Sequence, residues 1–168
     1  LPIYVLLRNV GLIGADASLP FFTNPTWARV TIIVINIWVG VPYTLLQLTG
    51  VLQSIPEDLY EEFIAEGPMI SVHVDTFAAI KAKEGKGEEV AKLLEAYRTR
   101  LVEDSVQYPM NISKVEASEV VRHGDYVFFV MLGTASDEAQ AEGEEAALQS
   151  AQEENKKAVD AINAFFEG

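Results

Sequence analysis

At 168 residues, with no cysteine and a formal charge of −13, the chain has room for one ordinary domain plus a smaller appendage. It lacks the material for disulfides, thiolate catalysis or cysteine-held metals. The charge is uneven: residues 1–56 hold two arginines against one aspartate, whereas residues 57–168 hold 10 basic and 24 acidic side chains. Phosphate backbones and anionic lipid headgroups repel so acidic a domain when it has no basic stripe, which excludes nucleic acid as a partner.

Leu1 to Leu7 reads as the end of an apolar helix whose beginning is missing. Gly11, Gly14, Asp16, Ser18, Pro20, Asn24 and Pro25 then crowd turn formers into a loop. Phe21, Phe22 and Trp27 at its end suit either a membrane–water boundary or ordinary loop packing.

From Val30 to Pro56 there are 27 consecutive uncharged residues. A hydrocarbon layer about 30 Å thick needs roughly 20 apolar helical residues, so this stretch predicts a transmembrane helix, with a buried core helix as the alternative. Asn36, Gly40, Tyr43 and Gln47 fall 4, 3 and 4 apart and share one helical face. Polar and small residues there point to neighbouring helices or to a solute path. Pro42 predicts a kink.

Ser54, Pro56 and Glu57 read as a helix start, giving a short acidic helix from Glu57 to Glu66 that Gly67 and Pro68 end. Met69 to Ala82 is rich in β-branched and aromatic residues and predicts extended chain, with a break near Asp75. Glu84-Gly85-Lys86-Gly87 turns into a helix from Glu88 to Glu103, whose Val90, Leu93, Leu94, Tyr97 and Leu101 keep helical spacing. Lys114 to Val121 and Tyr126 to Leu132 predict a hairpin around Gly124-Asp125; the second strand is apolar on both faces and belongs in the middle of a sheet. A long helix follows from Glu144 to Phe166, with Leu148, Ala151, Asn155, Ala158, Val159, Ile162, Phe165 and Phe166 as its inward stripe.

The expected fold class is therefore mixed. It combines one transmembrane-type α-helix with an α+β domain in the order β-α-β-β-α, the helices lying on one face of an antiparallel sheet in the manner of an incomplete ferredoxin-like unit.

Little in the chain is suited to catalysis. His73 and His123 lie 50 residues apart without metal-ligand spacing. Gly85-Lys86-Gly87 lacks the rest of a phosphate loop, and Glu88 and Glu89 oppose an anion at the following helix start. The acidic clusters around Glu144 and Glu153 read as solvated helix faces. No nucleophile, base and orienting group assemble from neighbouring residues, so neither enzyme activity, metal nor cofactor is expected.

Two family resemblances stand beside this reading. Leu-Pro-Phe-Phe-Thr-Asn-Pro-Thr-Trp-Ala at 19–28, Ile-Ile-Val-Ile-Asn-Ile-Trp-Val-Gly-Val-Pro-Tyr at 32–43 and Gly-Val-Leu-Gln-Ser-Ile-Pro-Glu-Asp-Leu-Tyr at 50–60 resemble the permease subunit of bacterial ABC importers for maltose and other oligosaccharides. The resemblance implies a membrane component, a second permease subunit and an ATPase subunit as partners, and a carbohydrate as solute. It also implies a loop that docks on the ATPase, Glu-Ala-Ala-x-x-Asp-Gly in the family. Here that loop reads Glu61-Glu62-Phe63-Ile64-Ala65-Glu66-Gly67: Glu61 and Gly67 are kept, and the two small alanines are replaced by charge and bulk.

From Glu61 onward, Gly67-Pro68-Met69-Ile70-Ser71-Val72-His73-Val74-Asp75, Phe77 to Lys86 and Gly124 to Val130 resemble small bacterial lipoproteins of unknown function. These imply an α+β domain held outside the cell. The permease resemblance instead implies a cytoplasmic end for the helix, and charge bias arbitrates: Arg8 and Arg29 precede the uncharged stretch and no basic residue follows it until Lys81, which favours an extracytoplasmic acidic domain at the bacterial cell membrane.

The expected organisation is a permease-like membrane segment over residues 1–60 and an acidic α+β domain over 61–168. Its expected function is that of a partial carbohydrate-permease component, not transport-competent alone. The alternatives are an anchored extracytoplasmic binding or scaffolding domain, and an artificial or mis-joined fusion, since the two resemblances meet at Tyr60-Glu61.

Overall fold

The computed structural model describes residues 24–68 and 73–167 together with Asn9, Gly11 and Gly14, and along helix positions 39–40 and 43–48 it describes backbone alone. The chain divides into two compact units, Leu1–Val39 and Gly40–Gly168.

In the first unit, helix α1 (Pro25–Gln53) begins. Asn24 Oδ1 accepts from the N–H groups of Thr26 (2.9 Å) and Trp27 (3.3 Å), and Pro25 takes the first helical position, where its missing donor is harmless. Isoleucines 32, 33, 35 and 37 and Trp38 are exposed.

Among the described residues, no helix is long and apolar enough to cross a membrane, and this overturns the transmembrane assignment of 30–56. Absence of charge is a weaker condition than apolarity. Within the 27 uncharged residues, Thr31, Asn36, Tyr43, Thr44, Gln47, Thr49, Gln53 and Ser54 carry polar groups. The carboxyl end of the helix, moreover, has another use: Val51 and Ile55 are buried in the core of the second unit together with Leu59.

In that unit, a single 3-10 turn (Glu57–Leu59) leads into strand β1 (Tyr60–Glu66), where a helix is predicted from sequence. The reason is a distant partner: the segment pairs antiparallel with residues 77–82, through a β-bulge between Tyr60 and Glu62. An extra residue in one strand turns two side chains three apart to the same face, so Tyr60 and Phe63 meet at 6.0 Å. Ser54, read as a helix start, instead closes α1, its hydroxyl donating to Val51 O at 2.6 Å.

Strand β2 (Thr76–Ala82) alternates strictly, burying Thr76, Ala78, Ile80 and Ala82. Helix α2 (Gly87–Asp104) follows as expected, with Val90 and Leu94 fully buried. A second correction comes next. Residues 109–116 form helix α3 (Pro109–Glu116), and only Glu119–His123 is strand β3. The buried Lys114 reaches Asp75 at 2.8 Å, a pairing 39 positions away that local alternation cannot reveal. Strand β4 (Tyr126–Met131), the short helix α4 (Asp137–Glu142) and the long helix α5 (Glu144–Glu167) complete the order.

The four strands pair antiparallel in the order β1-β2-β4-β3, so β4 is central as its two-sided apolarity predicts. The helices do not share one face. Consecutive strand residues point to opposite faces, and Phe129 meets Tyr97 of α2 edge-on at 5.5 Å, while its neighbour Phe128 meets Phe166 of α5 at 5.9 Å. The element order β-β-α-α-β-β-α-α, with helices on both faces of the sheet, replaces the predicted β-α-β-β-α with helices on one.

Asn155, the polar interruption in the α5 stripe, is buried and satisfied. Its Oδ1 accepts from Leu132 N and its Nδ2 donates to Ala117 O, each at 3.0 Å, which ties α5 to the ends of β4 and α3.

Candidate functional site

The face of the sheet under α5 is a grid that the register fixes. Its rows across β1, β2, β4 and β3 are Glu66, Phe77, Val130, Glu119; then Ile64, Ala79, Phe128, Val121; then Glu62, Lys81, Tyr126, His123. Helix α5 lies over the β4 side, where Val130 is fully buried. A helix is about 10 Å across and strands lie about 4.8 Å apart, so one helix roofs two strands of four.

Between α5 and the β2 side an open groove of about 700 Å³ remains, lined chiefly by Phe77, Tyr126, Phe128, Ile162, Phe165 and Phe166. Phe166 anchors the closed end. It stacks flat on His123 at 4.5 Å and contacts Tyr126 at 5.5 Å, and His123 Nε2 donates to Asn163 Oδ1 at 2.8 Å. Phe165, placed by sequence in the inward stripe, is instead 81% exposed at the groove mouth. The β1 column beyond carries exposed Glu62 and Glu66 on either side of exposed Ile64. Lys81 is engaged by Glu61 at 2.8 Å and Glu62 at 3.8 Å, and the hydrogen bond it donates to the Glu61 carboxylate raises its pKa.

The sequence-predicted residues lie elsewhere. Asn36 Nδ2 donates to Ile32 O at 2.9 Å within its own helix. Gly40, Tyr43 and Gln47 belong to α1, their side chains outside the described residues. Of the segment resembling a docking loop, Glu61 sits at the β1 bulge and Gly67 just past the other end of the strand. Among the described residues, no cluster of three or more His, Cys, Asp or Glu side chains is placed to hold a metal ion.

The Gly85-Lys86-Gly87 turn has a structural explanation. Asp125 accepts from Gly85 N and Gly87 N, both at 3.0 Å, so its carboxylate fills the seat a bound anion would need, and these backbone donors hold its pKa below the usual carboxylate range. A Cβ on Gly87 would fall 2.1 Å from Gly124 O, so glycine is required for the two turns to close. The groove itself escaped the sequence reading, since Phe77 is an ordinary strand residue and Phe165 fits a buried stripe as well as a mouth.

Compared with known proteins, residues 52–132 match the family described as Domain of unknown function (DUF4358), from the end of α1 through β4. A shorter stretch is similar to carbohydrate permeases. It is 46% identical over 57 residues to the galactooligosaccharides transport system permease protein GanP of Bacillus subtilis, covering 34% of this chain and 13% of that protein. The maltose/maltodextrin transport system permease protein MalF of Photorhabdus laumondii is 45% identical over 62 residues (37% and 11%). The maltodextrin transport system permease protein MalC of Streptococcus pneumoniae is 43% identical over 51 (30% and 12%). The chain thus spans only about an eighth of each of these relatives. No solved structure matches.

Proposed function

We propose that the acidic domain, residues 61–168, is a non-catalytic binding module that uses the groove between α5 and the sheet. The character of the walls carries this reading: among the described residues lining the groove, the Tyr126 hydroxyl is the one titratable group, and the rest is aromatic or aliphatic. Hydrolysis or group transfer requires a nucleophile, a base and an oriented donor around one point, which such a lining does not supply. Sugars require many hydrogen-bond partners, so the lining favours an apolar ligand over a carbohydrate. N-phenyl-1-naphthylamine, a neutral apolar dye, should fluoresce on binding the intact chain and lose that signal in Phe165→Ser, a change at an exposed position that leaves the core untouched. Absence of binding, or equal binding by the variant, refutes the assignment.

A second reading is favoured by the permease likeness. The chain would work beside the permease subunits of a carbohydrate importer at the bacterial cell membrane, without being transport-competent alone, its acidic domain on the extracytoplasmic side. Purification from mild detergent should then recover a second permease subunit and an ATPase subunit, and protease added to intact cells should remove residues 69–168. Recovery of neither partner, or full protection, refutes it.

A further inference from the structure

We infer that the occupant of this groove is a basic amphipathic helix of a partner polypeptide, an inference that rests on the binding-module reading above. Three observations lead to it. The first is the size of the gap. α5 roofs the β4 side of its face, and no described element of the second unit covers the β1 and β2 columns, which leaves the breadth of one further helix.

The second is chemistry. The floor of the gap is apolar, with Phe77, Ala79 and Ile64, and the mouth offers Phe165 and Ile162. A helix laid in such a groove inserts apolar side chains at i, i+3 or i+4 and i+7.

The third is charge. Exposed Glu62 and Glu66 flank Ile64 on the open side, and the positive group in that corner, Lys81, is engaged by Glu61 and Glu62. Four strand positions separate Glu62 from Glu66, a span of about 13 Å. Basic residues seven or eight positions apart on a helix span a similar distance, about 11–12 Å. A second copy of this chain is a poor occupant, because 24 acidic against 10 basic side chains over residues 57–168 make the two surfaces repel.

The test uses the intact chain and a fluorescein-labelled 18-residue peptide with leucine and phenylalanine on one face and lysines seven apart, read by anisotropy. A second peptide carries glutamate at every lysine. The expected result is saturable binding of the lysine peptide alone, weakened by raised salt in the parent chain and weakened roughly tenfold by the paired exposed changes Glu62→Lys and Glu66→Lys. Naphthylamine binding should be unchanged in the charge-reversed chain. Equal binding of both peptides, no effect of charge reversal, or self-association blocked by Phe165→Ser would overturn the inference. Dye binding without peptide binding overturns it and leaves the binding-module reading intact, whereas loss of both overturns both.

Discussion

Two isoleucines of like chemistry, 20 positions apart, test whether the uncharged stretch serves the α+β unit as core. Ile55 is 3% exposed and packs with Val51 and Leu59 against the sheet, while Ile35 is 56% exposed on the same run of sequence. Truncating a buried isoleucine removes three carbons from contact and leaves a cavity, which costs about 2–5 kcal/mol, whereas an exposed truncation stays within about 0.5 kcal/mol. Ile55→Ala should therefore lower the urea midpoint strongly with little change in slope, and Ile35→Ala should barely move it. Adding Val51→Ala to Ile55→Ala would remove about 4–8 kcal/mol, most of the 5–15 kcal/mol typical of a domain, and should leave the unit largely unfolded at 37 °C. Circular dichroism at 222 nm and near-ultraviolet signals from Tyr97 and Phe129 report the transition. Equal effects of Ile35→Ala and Ile55→Ala, or none from either, would refute the claim that the end of α1 belongs to this core.

Asn155→Leu should destabilise by about 1–3 kcal/mol, since it takes the partner from the buried Ala117 O and from the partly buried Leu132 N; calorimetric unfolding checks this. The Lys114–Asp75 pair predicts an asymmetry. Asp75→Ala strands a lysine that is 2% exposed and should cost about 3–5 kcal/mol, whereas Lys114→Met leaves only the half-exposed carboxylate and should cost much less, as urea titration will show. Asp125 has a depressed pKa, so its contribution is present above the unfolded-state carboxylate pKa and is lost as pH falls through the lower native value. Asp125→Asn should accordingly lower the melting temperature at neutral pH and approach the parent chain in strong acid. Gly87→Ala should disrupt the same clasp at every pH.

The amino-acid sequence alone determined the elements whose signal is local and long. Helix α2 was legible because Val90, Leu94 and Tyr97 repeat at 3.6, and α5 for the same reason, Asn155 included. The β3–β4 turn was marked by Gly124-Asp125, and the two-sided apolarity of Tyr126–Met131 placed β4 in the interior of the sheet. The two family likenesses, to carbohydrate permeases and to a domain of unknown function, were also carried by quoted residues.

Tertiary structure decided what depends on distant partners. Tyr60–Glu66 became a strand because β2 pairs with it, while Ser54, the start signal read for a helix there, closes α1 instead, and Pro109–Glu116 became a helix with Lys114 held by Asp75. The uncharged run could not declare from its own composition that Val51 and Ile55 would end in a protein core. The groove has the same origin: Phe77, Phe128 and Phe165 come together only when a four-strand sheet is roofed by a helix too narrow to cover it. Periodicity reports which side of an element is apolar, and only the assembled packing decides how much of that side another element reaches.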